Sequence, residues 1–596
     1  MMNSYPKLLL LMMLSTTLAH AQEKISFEIS FVEPQAHYVE VKMEIMGNSG
    51  DQIDLKMPVW APGSYLIREF PKNVEGFMAK GDGETLAFSK INKNTWRIHR
   101  NKSKKIEVHY RVYAFELSVR TSFVDATHAF LSPTGIFMYV DNMISHPAEI
   151  TILPYSSWEK ISTGLQTMAG KKNVFYAPNF DVLFDSPIEV GNQDIFSFIA
   201  EGVEHEVVMV GGGNYNSARL KEDIAKIVRE ETKIFGENPN KRYVFIVHNQ
   251  SSGGGGLEHL NSTVLGASRE AYNKENGYLN FLGLVSHEYF HLWNVKRLRP
   301  ENLGPFNYDA ENYTSDLWIA EGFTAYYDNL VLLRAGFLDE DAYLRVLAGD
   351  ITTVENRPGN LIQSLSESSF DAWIKQYRPN ENSLNTTVTY YSKGALIGML
   401  LDLSILHATK GRSGLDAVMK AMYEQYYLKE DRGYTRSEFI KMAEKIAGVS
   451  LQDIFRYVDV AQPIDYNQYL LYAGLELIDV KKDTEKAFLG LKTVNQGGRI
   501  VISSVFRGHG AWNGGLNVDD EIIAVNGDRL GTIDDLDRII EAAKPNDQLT
   551  ILISRDGILQ QLSVTLTKND TKSYFIMPLE NASPAQIAVR KAWLSL

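Results

Sequence analysis

Residues Leu284 to Pro300 read LVSHEYFHLWNVKRLRP, an apolar and aromatic run interrupted by His287, Glu288 and His291. On a helix the two histidines lie four residues apart on one face, about one turn from each other. Two imidazoles so placed can bind one zinc ion, and Glu288, beside the first, can reach a water on that ion and take its proton. The competing reading of the same residues is a core helix whose two histidines are satisfied by hydrogen bonds. The longer stretch NFLGLVSHEYFHLW, Asn280 to Trp293, predicts a helix with Asn280 as its cap.

A catalytic zinc site needs a third protein ligand and one open position. The stretch LWIAEGFTAYY, Leu317 to Tyr327, supplies Glu321, a carboxylate set among Trp318, Ile319, Ala320, Gly322 and Phe323. Such a group is costly to bury unpaired, so a metal partner gives a physical reason for its place. Asp316 is the reserve ligand, and a buried ion pair of Glu321 with Arg297 or Arg299 is the alternative. Lys296, Arg297 and Arg299 either bind the substrate carboxylate or tie the C-terminal end of the histidine helix to nearby acids, the second being favoured because cations suit a helix C-terminus.

At 596 residues the chain is too long for one hydrophobic core. Toward the N-terminus, HYVEVKMEIMG and KKIEVHYRVYAFELSV alternate polar and apolar residues between turns, which predicts an antiparallel β domain over 22–190. A mixed lobe follows and gives way to long helical patterns, so 191–475 reads as one catalytic unit with a helical lobe. Short strands and one helix near Ile533 to Ala543 form a separate domain over 476–575. Residues 576–596 read as a C-terminal tail. The fold class is multidomain α+β.

With 73 acidic against 60 basic residues, the formal charge of −13 offers no electrostatic footprint for nucleic acid. The absence of cysteine excludes disulfides, thiolate ligands and cysteine nucleophiles. Lys7, the apolar run Leu8 to Leu14 and Ala19-His20-Ala21 form a signal-peptide pattern over 1–21, cut after Ala21. The expectation is an exported, periplasmic protein with no membrane span in the mature chain.

HEYFHLWNVKRLRP followed by WIAEGFTAYY resembles the glycyl aminopeptidase family of zinc metallopeptidases, a gluzincin type distantly similar to aminopeptidase N. The resemblance covers nearly the whole mature chain. It implies a thermolysin-like catalytic domain with zinc held by His287, His291 and Glu321, and Glu288 as general base. In SSGGGGLEHLNST, Gly253 to Gly256 permit close approach of backbone to a ligand. There the resemblance implies that Glu258 pairs with the free α-ammonium of the substrate, with Gly255 and Gly256 along the peptide. His259 and Asn261 either line the first substrate pocket or make structural hydrogen bonds. In TVTYYSKGALIGML the resemblance places the phenol that stabilises the reacting carbonyl at Tyr391, with Tyr390 as runner-up.

KAFLGLKTV and AWNGGLNVDDEIIAVNGDRL resemble a PDZ domain, with Asp519 where glycine is common. This implies that Phe488 to Leu491 offer backbone amides to a peptide carboxylate. The expected activity is removal of a small N-terminal residue, glycine or alanine, from peptides with a free N-terminus. A zinc endopeptidase and a noncatalytic PDZ peptide-binding protein are the alternatives.

Overall fold

The computed structural model describes residues 24–47, 50–482 and 484–595; the expected leader, 1–21, lies outside the described residues. In the N-terminal domain the alternating sequences become paired strands. Tyr38–Met46 lies antiparallel to Lys105–Tyr113, with Val41 opposite Tyr110 and Ile45 opposite Ile106. Val39, Val41, Met43 and Ile45 are buried while their neighbours stay accessible, as a one-faced sheet requires. These strands belong to an eight-stranded sheet, joined by sheets of five and four strands around one core.

The catalytic sheet has five strands in the order Asp194–Ala200, Val203–Val210, Arg242–Gln250, Ser262–Ser268 and Gly256–Glu258. Its central strand, RYVFIVHNQ, is paired in parallel on both sides and buried from Tyr243 to Asn249. That double burial explains its unbroken apolar run. The short strand Gly256–Glu258 turns back antiparallel and forms one edge of the sheet.

The helical lobe is organised around Tyr390–Thr409, which is buried along most of its length. Its tightest contact is with the helix Gly322–Arg334. A Cβ on Gly322 would lie 2.6 Å from the Gly394 Cα and 2.8 Å from the Tyr390 carbonyl oxygen, so only glycine permits this approach. Two glycines thereby set Tyr391 close to Glu321.

The chain leaves this lobe through Leu475–Asp479 and returns through Tyr574–Pro578, which pair antiparallel. Between them lies a separate apolar core running from Ala487 to Leu566. Asn385 ties this module to the catalytic unit, donating to the Val505 carbonyl at 2.8 Å and accepting from the Arg507 amide at 2.9 Å. Residues 576–596 are not a free tail. Ser583 caps the helix Pro584–Leu594, which buries Val589, Trp593 and Leu594 in the helical lobe. Trp593 Nε1 donates to the Tyr326 hydroxyl at 2.7 Å, and Arg334 donates to the Trp593 carbonyl at 3.3 Å.

Candidate active site

The histidine helix spans Glu275–Phe290, with His291 at its C-terminal cap. It begins earlier than Asn280, which is therefore not the cap. Tyr278 anchors the first turn by donating to Asp223 at 2.8 Å, under the Arg219 guanidinium 3.9 Å from its ring. Those tertiary contacts carry the helix through Gly277, and Asn280 faces the groove instead.

His287 and His291 turn their Nε2 atoms toward each other at 3.2 Å. Glu321 Oε2 lies 3.2 Å from His291 Nε2 and 3.8 Å from His287 Nε2. On the far side of each ring a second acceptor takes the Nδ1 proton: Asp328 at 3.2 Å for His287 and the Asn294 carbonyl at 2.8 Å for His291. Asn294 also donates to the carbonyls of Ile319 and Ala320, both at 3.0 Å, and so ties the end of the histidine helix to the backbone before Glu321. Glu321 itself sits where the helix Leu317–Ala320 breaks before Gly322–Arg334.

This donor set fits zinc. Three lone pairs converge with the imidazole protons engaged elsewhere, and tetrahedral ligands about 2.0–2.2 Å from zinc stand roughly 3.3 Å apart. The reading as two satisfied core histidines leaves two ring nitrogens facing each other with no acceptor of their own but Glu321. Arg297 is held by the Leu260 and Leu292 carbonyls and by Asn240, while Asp316 pairs with Arg436 at 2.5 Å. Neither the alternative ion pair with Arg297 nor the reserve ligand is present at Glu321.

Glu288 is 4% exposed, and its Oε2 has no hydrogen-bond partner. Burial pushes its carboxyl up to about 7. Glu321 experiences the same burial, but its contacts with His291 and His287 outweigh it and hold the carboxyl at about 2. The two acids are thus driven apart, one toward proton exchange near neutrality and one toward permanent ionisation. A Cβ on Gly256 would overlap the Glu288 carboxylate, so glycine is required where the edge strand passes the acid.

Glu258, two residues along that strand, is 4% exposed and faces the same groove. Its carboxylate lies against Gly63 of the N-terminal domain, where a Cβ would overlap it. Gly255 adopts φ +76, a left-handed conformation that suits glycine, and lines the groove with Gly256. His259 does not line it. Its Nδ1 is bound to Asp185 at 3.0 Å, an acid also held by Lys296 at 2.7 Å, because the side chain after Glu258 points to the opposite face of the strand. Asn261 makes a structural bond, donating to the Gly164 carbonyl at 2.8 Å.

Tyr391 lines the groove with its ring 6.3 Å from the His287 ring, and its hydroxyl lies 3.3 Å from the Tyr377 hydroxyl. Burial, reinforced by the Glu321 charge, keeps the phenol protonated and able to donate. Tyr390 is fully buried behind Tyr391, its ring stacked 4.7 Å from that ring, and does not line the groove. The groove itself holds about 720 Å³. Asp328, two turns beyond Glu321 on the helix that follows it, completes the surroundings with Gly63, Arg120 and Tyr377, which arrive from distant segments without any local sequence signal.

Residues 26–192 match the Peptidase M61 N-terminal domain, 280–397 the M61 glycyl aminopeptidase family and 487–566 the PDZ domain. The chain is similar to the crystal structure of an aminopeptidase N family protein from Idiomarina loihiensis, at 31% identity and TM-score 0.89, covering 96% of this chain and 100% of that one. Fainter likenesses include an M1 zinc metallopeptidase from Deinococcus radiodurans at 13% identity, TM-score 0.48, covering 74% of this chain and 94% of that one. Aminopeptidase A from Legionella pneumophila, in complex with aspartic acid, follows at 12% identity, TM-score 0.48, covering 93% of this chain and 56% of that one. No curated protein matches the chain.

Proposed function

The chain belongs to the M61 glycyl aminopeptidase family and is a metallo-aminopeptidase, and from that premise we propose that it uses zinc to release a small N-terminal residue, glycine or alanine, from peptides. His287, His291 and Glu321 would hold the ion, with Asp328 and the Asn294 carbonyl fixing the two imidazoles. Zinc, when bound, supplies Lewis acidity that polarises a carbonyl and makes water a nucleophile at neutral pH.

The remaining chemistry is done by the chain. Glu258 receives the α-ammonium of the substrate and sets its first carbonyl beside Glu288. Glu288, held by burial near neutrality, takes a proton from the attacking water and returns one to the departing amine. Tyr391 donates to the substrate carbonyl oxygen as it gains charge. The observation that carries the reading is the placement of Glu258. A buried carboxylate whose oxygens accept no hydrogen bond among the described residues faces the groove two residues along the strand from the glycine that touches the general base, where a free ammonium, and not an internal amide, provides the matching charge. Crowding around Glu258 by Gly63 and a side cavity of about 130 Å³, walled by Trp60, Tyr65 and Phe306, supports a small first residue.

The test is cleavage of Gly-Ala-Ala-Phe and its N-acetylated copy by zinc-loaded protein, read by mass spectrometry. Loss of glycine from the free peptide alone supports the reading, and internal cleavage of both moves the endopeptidase reading ahead. Two further parts belong to the proposal. The groove between Phe488–Leu491 and the helix Ile533–Ala542 takes a C-terminal peptide, and residues 1–21 direct export to the periplasm.

A further inference from the structure

Among the side chains lining the groove, Arg120 has a bonding pattern that the catalytic groups leave unexplained. It lies in the turn between the N-terminal-domain strands Phe115–Ser118 and Thr121–Val124 and reaches the groove from outside the catalytic unit. Its Nη2 donates to the Gly256 carbonyl at 3.0 Å, and its Nε is buried without a hydrogen-bond partner. No carboxylate among the described residues forms an ion pair with it. The other charges lining this part of the groove, on Glu258, Glu288, Glu321 and Asp328, are acidic.

The bond to Gly256 closes the edge strand. The Gly255 carbonyl accepts from the Gly266 amide at 2.9 Å inside the sheet, so the next carbonyl, that of Gly256, points to the open edge. A peptide lying along that edge would find this acceptor already taken, with the spare guanidinium hydrogens beyond it. Glu258 marks the other end. Two residues of extended strand separate the positions, roughly 7 Å, which is also the length of an extended dipeptide. Glu288 lies against Gly256, at the Arg120 end of that step.

We infer that Arg120 receives the C-terminal carboxylate of a dipeptide whose α-ammonium is held by Glu258, which makes dipeptides the favoured substrate class. A guanidinium meets a carboxylate through two parallel hydrogen bonds, so this contact favours a chain end over an amide at the same place. The inference rests on the aminopeptidase reading. The second cation of the groove, Arg345, stands exposed on the helix Glu340–Glu355 beside Leu338 and Ala342 and carries no part of it.

The experiment compares Ala-Ala with Ala-Ala amide in two ways. One is kcat/KM with zinc-loaded wild type, Arg120→Ala, Arg120→Lys and Arg345→Ala; the other is calorimetric binding to Glu288→Gln with and without Arg120→Ala. Wild type is expected to favour the free acid by about 10- to 100-fold, the size of a charge-assisted contact. That ratio should fall near one in Arg120→Ala, survive in part in Arg120→Lys and persist in Arg345→Ala, with the same pattern in the binding constants. A ratio near one in wild type, or one that vanishes in Arg345→Ala and not in Arg120→Ala, overturns the inference. Cleavage indifferent to the carboxylate leaves the aminopeptidase standing and removes the role of Arg120. An Arg120-dependent preference in binding without cleavage does the reverse.

Discussion

Two places in this molecule set a pair of histidines around one buried glutamate, and they do opposite things with the same groups. At the groove, the Nε2 atoms of His287 and His291 converge on a single oxygen of Glu321. At the junction of the N-terminal domain with the catalytic sheet, His128 and His248 bind separate oxygens of Glu189, at 2.7 and 2.9 Å, with their rings 6.3 Å apart. In the first, the protons are held on the far side of the rings and lone pairs point inward. In the second, ring protons point inward and are consumed by the carboxylate. The difference shows that composition does not make a metal site; the direction in which each ring presents its proton does.

The largest expected effect follows from removing a converging nitrogen. His291→Ala should drop bound zinc far below one per chain and lower kcat/KM by about a thousandfold or more, whereas His248→Ala should leave metal content unchanged, as measured by elemental analysis. Next, Glu258→Ala should lower kcat/KM for free-amine peptides by about a hundredfold, the scale of a lost charge-assisted contact in a buried site. Tyr391→Phe should cost about ten- to a hundredfold in kcat with little change in zinc. Gly256→Ala, whose methyl group would overlap the Glu288 carboxylate, should lower kcat while sparing zinc content.

The Glu189 cluster should answer in stability. Glu189→Ala leaves two buried rings without their acceptor and should cost about 3 kcal/mol in denaturant unfolding. Its pH dependence has a definite sign. Burial alone would lower His128, but the Glu189 charge, helped by Asp125, outweighs burial and raises it above 6.5. Burial alone would raise Glu189, but His128 and His248 outweigh it and lower the carboxyl below 4.5. The histidine contribution is therefore complete below 6.5 and lost as pH rises through the raised value, and the carboxylate contribution is complete above 4.5 and lost as pH falls through the lowered one. Wild type should exceed Glu189→Ala by the widest margin between those limits.

The same contrast explains what was legible in the sequence. His287, Glu288 and His291 share one helix, so a local spacing rule reveals them, and Glu321 stands out as an acid inside an apolar helical run. The strands of the N-terminal domain are equally readable, because one face of each is buried and the alternation survives. His128 precedes the strand Ala129–Leu131, which pairs with the distant strand holding Glu189, and His248 comes from the catalytic sheet, so nothing near any of them announces the others. Arg120 and Gly63 are hidden for the same reason. Asn280 misleads because a good capping residue can also sit inside a helix whose first turn is pinned by tertiary contacts, here Tyr278 on Asp223. Residues 576–596 read as a tail because the burial of Trp593 and Leu594 depends on a lobe that the short segment does not reveal.

The most direct test is crystallographic: anomalous diffraction measured on both sides of the zinc absorption edge from zinc-loaded protein. One peak within about 2.0–2.2 Å of His287 Nε2, His291 Nε2 and a Glu321 oxygen is predicted, with none between His128 and His248. An active, zinc-loaded protein with no peak at the first place, or with its peak at the second, would contradict the account.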